Sequence, residues 1–100
     1  MGKDKLPKLV LIEWLDSAQP EPAWKHFDDL PRLDVIRCVS VGWLVAENGA
    51  TKMLAPNIGD FYSGGNKQAS GFIRIPAASV TRMANLAEGE VILDTVLGTT

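Results

Sequence analysis

The sequence predicts a mainly β protein: a small five-stranded barrel with one short helix and a 3-10 turn before the last strand. Three observations carry this prediction. Apolar runs of strand length recur between turn signals, Asn48-Gly49 separates two of these runs, and Pro76-Ala77-Ala78 joins two others near the end of the chain. Short strands punctuated in this way are typical of small sandwiches and barrels.

The first two strands are predicted at residues 8–15, KLVLIEWL, and 34–47, DVIRCVSVGWLVAE. The first run is too short for a convincing isolated helix, and its polar residues Lys8 and Glu13 lie near its ends. The second run has apolar residues at both alternations and an internal glycine. We therefore expect a long strand that bends at Gly42 and crosses from one side of the barrel to the other.

The segment between these strands carries three prolines. Pro20 and Pro22 permit a helix to begin, whereas Pro31 prevents it from continuing. Three apolar side chains recur at i, i+3 and i+6: Trp24, Phe27 and Leu30. We predict one short helix or 3-10 turn at about residues 22–29, with its aromatic side covering one end of the core.

The pair Asn48-Gly49 is the strongest short hairpin signal in the chain, so the run TKMLAPNI is predicted to return as the partner strand until Pro56. Residues 57–70, NIGDFYSGGNKQAS, are rich in glycine and polar side chains. This composition predicts a loop, the most mobile segment that we expect.

The closing corner is predicted from GFIRIP, residues 71–76, and SVTRM, residues 79–83, which both alternate as strands do. Pro76 fixes φ near its helical value and its missing N–H is harmless at the start of a turn, so Pro-Ala-Ala fits a single 3-10 turn. A strand, such a turn and a final strand at a steep angle form the corner of a small barrel.

Length and composition indicate one domain, residues 1–100, with the barrel at about 8–86 and a C-terminal extension at 87–100. The extension adds an edge strand, packs on a neighbouring subunit or frays; the sequence leaves these alternatives open. The longest apolar runs are far shorter than the roughly 20 residues that span a bilayer, and no secretory signal of the usual length is recognisable. The single Cys38 fits a reducing compartment, so we expect a cytoplasmic protein.

The segments VIRCVSVGWLVAE, LAPNIG and GFIRIPAASVTRM resemble a set of short, uncharacterised proteins encoded by bacteriophages and prophages. The resemblance covers roughly residues 9–86. It implies a Src-homology-3-like (SH3-like) or Sm-like barrel and a phage or prophage origin. That set of proteins has no settled activity, so the resemblance implies no catalytic role.

The sequence gives little support for a catalytic site or a metal site. His26 has Asp28 and Asp29 nearby, but residues i and i+2 of a helix do not face each other, and no second histidine is present. Alternation points Cys38 and Arg37 to opposite faces of a strand, so we interpret the cysteine as a small buried residue. The glycine-rich GDFYSGGNK precedes a strand and not a helix, unlike a phosphate-binding loop. We therefore expect no enzyme activity, no metal and no cofactor.

Binding of another macromolecule is the remaining interpretation. Trp14, Trp24 and Trp43 are expected in core and lid packing, with an exposed aromatic that binds a peptide or stacks a base as the alternative. The candidate partner-binding residues are Tyr62, Lys67, Arg74, Arg82 and Trp24.

We predict a non-enzymatic binding protein that acts through protein–protein contacts with a host or phage protein. The alternative is a single-stranded nucleic-acid-binding module. The net charge of −2 and only three candidate basic residues provide a weak attraction for phosphates. We also expect a homo-oligomer, in the simplest case a dimer, in which the apolar extension VILDTVL contacts the second copy.

Overall fold

The computed structural model describes residues 6–17, 20–61 and 66–93, and this part of the chain is mainly β. Its strands are β1 (Leu9–Asp16), β2 (Ile36–Glu47), β3 (Thr51–Ala55), β4 (Asn57–Gly59), β5 (Gln68–Ser70), β6 (Ile73–Pro76) and β7 (Val80–Leu86). Five strands form one antiparallel sheet in the order β6-β3-β2-β1-β7, and β4 pairs with β5 in a second, smaller sheet.

The two long strands predicted at the start of the chain are confirmed. They pair along the whole of β1, from Leu9 opposite Trp43 to Asp16 opposite Ile36. β7 then pairs with the other side of β1, which makes β1 the second strand from the edge. The first strand therefore pairs with both the second and the last strand of the chain.

Alternation gives the five-stranded sheet two faces, which we call inner and outer. The inner face carries the buried cluster, which consists of Val10, Ile12, Leu44, Leu54 and Ile75. Trp14 and Val80 are partly buried against it. The outer face carries the residues that alternate with these, among them Leu9, Leu11, Val39, Val41 and Trp43.

The sequence also predicts a core in which Ile36 and Met83 join Leu44, Ile75 and Val80. Leu44 and Ile75 are buried and Val80 packs beside them, but Ile36 and Met83 are both exposed. That part of the prediction is wrong because Ile36 is the first residue of β2 and Met83 lies on the edge strand β7. Neither position has neighbours on all sides.

The predicted hairpin between β2 and β3 is confirmed, and its turn is built by one side chain. The Asn48 Oδ1 atom accepts hydrogen bonds from the backbone N–H groups of Ala50 and Thr51, both at 2.8 Å. The Asn48 N–H also donates to the Thr51 carbonyl at 3.0 Å. Asparagine favours such turns because its side chain mimics a backbone carbonyl.

Gly42 lies in the middle of β2 at a close approach between two strands. A Cβ atom there would lie 3.0 Å from the Ala55 carbonyl oxygen. The irregularity in the pairing of β2 with β3 lies farther along, between Leu44 and Ala46. The glycine is therefore needed for space, and the pairing of β2 with β3 changes register after it.

The closing corner is confirmed as a 3-10 turn, Ala77–Ser79, between β6 and β7. The Ser79 hydroxyl donates to the Pro76 carbonyl at 2.8 Å. The Ala77 N–H donates to the Ala50 carbonyl at 2.8 Å, which ties this corner to the hairpin between β2 and β3.

The loop predicted at residues 57–70 instead contains the small sheet, in which Asn57 lies opposite Ser70 and Gly59 opposite Gln68. Two short strands of three residues each are below the length at which alternation is recognisable. The predicted site residue Tyr62 lies outside the described residues.

The connection from β1 to β2 differs most from its prediction. Only Phe27–Asp29 form a 3-10 turn, and both flanking residues, His26 and Leu30, are extended. We call residues 20–35 the arm. Its aromatic side chains are exposed, so the prediction that they cover one end of the core is wrong. The Cα radius of gyration of 19.2 Å also exceeds the roughly 13 Å of a compact chain of this length.

In the C-terminal extension, residues 87–93 contain no strand, and Val91, Ile92 and Leu93 are exposed. Residues 94–100 lie outside the described part of the chain, so the prediction that the extension contacts a second copy stays a prediction. Within the described ranges, the structure contains no helix of the length and hydrophobicity needed to cross a membrane.

Candidate functional site

The arm exposes large apolar side chains that a folded chain usually buries. Trp24 and Leu33 are fully exposed and Phe27 is 90% exposed. Leu30 and Val35 are also more than half exposed. Single exposed apolar residues are common, whereas several on one projecting segment are typical of an interaction site.

Among the described residues, the hydrogen bonds and ion pairs of the arm all lie within the arm itself. Lys25 and Glu21 form an ion pair at 3.5 Å, and Arg32 and Asp34 form another at 3.3 Å. The Asp29 N–H donates to the His26 carbonyl at 2.9 Å, as the short 3-10 turn requires. None of these bonds joins the arm to the sheet, so the sheet does not hold the exposed side chains in place.

The outer face of the sheet is a second exposed apolar surface. Val39 is 64% exposed and Val41 is 52% exposed, although both lie in the centre of the longest strand. Val41 lies opposite Leu11, which in turn lies opposite Ala84 of β7. The next row continues with Leu86, which is exposed, and with Leu9 and Trp43, which are half-buried. We call this set of two rows with Val39 the outer apolar strip.

Arginines surround the outer apolar strip. Arg82 is paired with Glu13, with 2.7 Å between its Nε and a carboxylate oxygen. Arg37 lies opposite Leu15 and Arg74 opposite Met53, both on the outer face and both exposed. Within the described ranges neither Arg37 nor Arg74 forms an ion pair. The strip therefore has a basic rim.

An open cleft adjoins one end of the sheet, between the residues that lead into β1, the irregular part of β2 and the small β4-β5 sheet. It has a volume of about 470 Å³ and is lined by Leu6, Pro7, Val45, Ile58, Lys67, Gln68 and Ala69. The Lys67 ammonium lies 5.3 Å from the centre of the Phe61 ring, at cation–π distance. The Gln68 amide donates to an Asp60 carboxylate oxygen at 2.7 Å. The polar groups beside the cleft thus already contact each other.

The predicted partner-binding residues do not form one surface. Trp24 lies on the arm and Lys67 beside the cleft, whereas Arg74 and Arg82 lie on β6 and β7, the opposite edge strands of the sheet. Of these residues, Trp24 has the surroundings expected of a binding residue, because apolar neighbours on the arm are exposed with it.

Sequence reasoning missed the other exposed apolar residues of the arm and the strip. The sequence predicts that Phe27 covers one end of the core and makes no prediction for Leu33, although the prolines around them indicate an extended segment. Val39 and Val41 belong to a strand that is apolar at both alternations. That pattern was interpreted as a strand crossing a barrel, and it also indicates a sheet with an uncovered apolar face.

The positions of His26 and Cys38 give no indication of a catalytic or metal site. His26 is exposed on the arm, and the half-buried Cys38 directs its sulfur to the Ile36 carbonyl at 3.8 Å. Within the described ranges no three histidine, cysteine or carboxylate side chains come together in a group that would hold a metal ion.

One carboxyl group has a clearly shifted pKa. The Glu47 carboxylate accepts a 2.7 Å hydrogen bond from the Lys52 ammonium across the β2-β3 hairpin. This bond and the positive charge of Lys52 lower the pKa of Glu47 below its ordinary value of 4.5, and Lys8 contributes a smaller effect in the same direction. The pair joins the two strands of the hairpin at the turn.

Comparison of the chain with known proteins gives no match to a family model, to a curated protein or to a solved structure.

Proposed function

We propose that this chain is a non-enzymatic small β-barrel protein of phage or prophage origin that binds another protein in the cytoplasm. The arm is its binding element. The observation that carries this proposal is the joint exposure of Trp24, Phe27 and Leu33 on a segment that makes no hydrogen bond or ion pair to the sheet among the described residues.

The energetics of interfaces support the arm as the binding element. Aromatic side chains bury about 150–250 Å² each and dominate the few residues that provide most of the binding energy. Trp24 and Phe27 are three residues apart on one short segment, and Lys25 and Glu21 beside them provide a polar border. An apolar centre with a polar rim is the usual anatomy of a protein interface.

The strand order supports a curled, barrel-like sheet. β6 and β7 lie on opposite edges, four strand spacings apart, which is about 19 Å in a flat sheet. Only the turn Ala77–Ser79 joins them, and even a fully extended chain from Pro76 to Val80 reaches only about 14 Å. The sheet must therefore curve so that its edges approach each other, as they do in a small barrel.

The single-stranded nucleic-acid-binding alternative has weaker support. It requires several unpaired cations on one surface, because affinity grows with each phosphate that is neutralised. Arg82 is paired with Glu13, which reduces its attraction for a phosphate. A mobility shift with single-stranded DNA or RNA at low and high salt tests this alternative, which requires binding that weakens steeply with salt.

Affinity capture with matched variants tests the proposed function. The tagged chain, a Trp24→Ala/Phe27→Ala variant and an Ile92→Ala variant are used to capture proteins from host-cell lysate, with or without the phage genes expressed. Ile92 is a suitable control because it is 82% exposed but lies outside the arm. We expect the arm variant to lose a protein that the other two retain. Identical captured proteins for all three chains would contradict the role of the arm.

A further inference from the structure

We propose that the arm binds the outer apolar strip of a second copy of the chain, so that two copies exchange arms in a symmetric dimer. This inference rests on the proposed function, because it names a partner for the same element. It differs from the expectation that the C-terminal extension provides the contact. Both surfaces lie on every copy, so each copy contributes its arm to the strip of the other.

The first argument is that the two surfaces have matching chemistry. The arm presents exposed apolar side chains, and the strip presents apolar side chains in the middle of β2, where Val39 and Val41 are more than half exposed. A sheet with one apolar face normally covers it with another layer. Among the described residues Val39 and Val41 stay more than half exposed, so this face is open to the arm of a second copy.

The second argument is charge complementarity. Asp28 and Asp29 follow Phe27 in the 3-10 turn of the arm and form no ion pair within the described ranges. Arg37 and Arg74 on the outer face also lack an ion pair there. The adjacent carboxylates of the arm are thus opposite in charge to the unpaired guanidinium group at either end of the outer face, Arg37 or Arg74, which favours this pairing of surfaces.

The third argument is area. The two aromatic side chains of one arm provide about 300–500 Å² of contact area, and the face that they cover loses a similar amount. Two reciprocal contacts therefore bury roughly 1,200–2,000 Å², which is the range of specific, stable interfaces. One contact alone falls below this range, so the reciprocal arrangement is favoured over a single one.

The prolines of the arm favour contact with another copy over folding back onto the same sheet. Pro20 and Pro22 lie at the start of the arm and Pro31 lies near its end. Each proline fixes φ near −65°, and proline-rich segments act as semi-rigid spacers. An arm held in this way projects away from its own sheet and reaches a neighbouring one.

The experiment begins with the mass of the full chain, measured by sedimentation over a series of micromolar concentrations. We expect a dimer for the wild type and for Ile92→Ala. Trp24→Ala/Phe27→Ala removes the arm anchors and Val41→Glu places a carboxylate on the strip. Each is expected to raise the dissociation constant about 30-fold or more, as the loss of a major interface residue does. Circular dichroism melting verifies that both variants fold, which exposed positions should permit.

Mixing the two defective variants provides the decisive measurement. The arm variant retains an intact strip and the strip variant retains an intact arm, so one arm–strip contact remains possible between them. We expect the mixture to associate more tightly than either variant alone and more weakly than the wild type, because one of the two contacts remains. A mixture that associates no better than either variant alone would overturn the proposal in favour of arm–arm or strip–strip contact.

The remaining outcomes separate this inference from the proposed function. A wild type that is monomeric throughout overturns the exchange of arms. If the arm variant then still loses a captured protein, the arm binds a different protein and the proposed function stands. If it loses none, both are wrong. Loss of the dimer on truncation after Glu88 would assign the contact to the C-terminal extension and would also overturn the inference.

Discussion

The indole N–H of Trp14 donates a 3.0 Å hydrogen bond to the hydroxyl oxygen of Ser40 on the neighbouring strand. The two residues lie on the inner face of β1 and β2, where Trp14 is partly buried against the core. A tryptophan N–H that is taken from water requires an acceptor. Ser40 provides it, and the bond ties the two central strands together through their side chains.

Replacement of Ser40 by alanine is expected to lower the free energy of unfolding by about 1 kcal/mol, because the indole N–H loses its acceptor in a partly buried position. Urea unfolding followed by tryptophan fluorescence measures this loss. Ser70→Ala is the control, since Ser70 is exposed on β5. Equal stability of the two variants would show that the bond contributes nothing.

Gly42→Ala is expected to destabilise the fold by about 1–3 kcal/mol, the usual cost of overpacking. The new Cβ would lie 3.0 Å from the Ala55 carbonyl oxygen, and a backbone atom cannot move away without disturbing the pairing of β2 with β3. Gly49→Ala is the matched control because nothing lies within 4 Å of the added Cβ there. Chemical unfolding of both variants checks the difference, and an unchanged Gly42→Ala midpoint would contradict the close approach.

Ile75→Ala is expected to cost about 2–5 kcal/mol, as large-to-small changes in a core do. Ile75 is fully buried in the cluster, whereas Ile92, which is the same residue type, is mostly exposed. Ile92→Ala should therefore change stability by less than about 0.5 kcal/mol. Denaturant titration of both variants measures the contrast; a loss at Ile75 as small as that at Ile92 would place Ile75 outside the core.

The lowered pKa of Glu47 predicts a dependence of stability on pH. A carboxyl whose pKa is lower in the folded than in the unfolded chain stabilises the fold above its unfolded value, and this contribution is lost as the pH falls through the folded pKa. For Glu47 the loss therefore begins near its ordinary value of 4.5 and continues below it.

Lys52→Met removes the hydrogen bond and the charge that lower this pKa, so the pKa of Glu47 should rise toward 4.5. An NMR titration of the Glu47 side-chain carboxyl carbon measures the shift. Lys25→Met serves as the control because the ion pair of Lys25 is with Glu21 on the arm. A Glu47 titration that is the same in the wild type and in Lys52→Met would refute the assigned cause.

The sequence predicts those turns whose hydrogen bonds join residues only a few positions apart. The Asn48 side chain forms the turn through hydrogen bonds to its near neighbours Ala50 and Thr51. The pair Asn48-Gly49 is therefore enough to recognise the hairpin in the sequence. Pro76 and Ser79 likewise form their 3-10 corner through a bond between residues three apart. The small β4-β5 sheet was missed because three-residue strands carry too little pattern.

The sequence by itself therefore determined the strands of the five-stranded sheet, the hairpin and the corner, because propensity, alternation and turn chemistry act within a few residues. Only the tertiary structure decided which apolar residues are covered. Val39 and Val10 are equally apolar, yet Val10 faces the cluster and Val39 faces outward, because the pairing of distant strands selects the inner face. Trp24 is exposed for the same reason: burial requires a partner surface, and nothing near it in sequence specifies whether the same chain provides one.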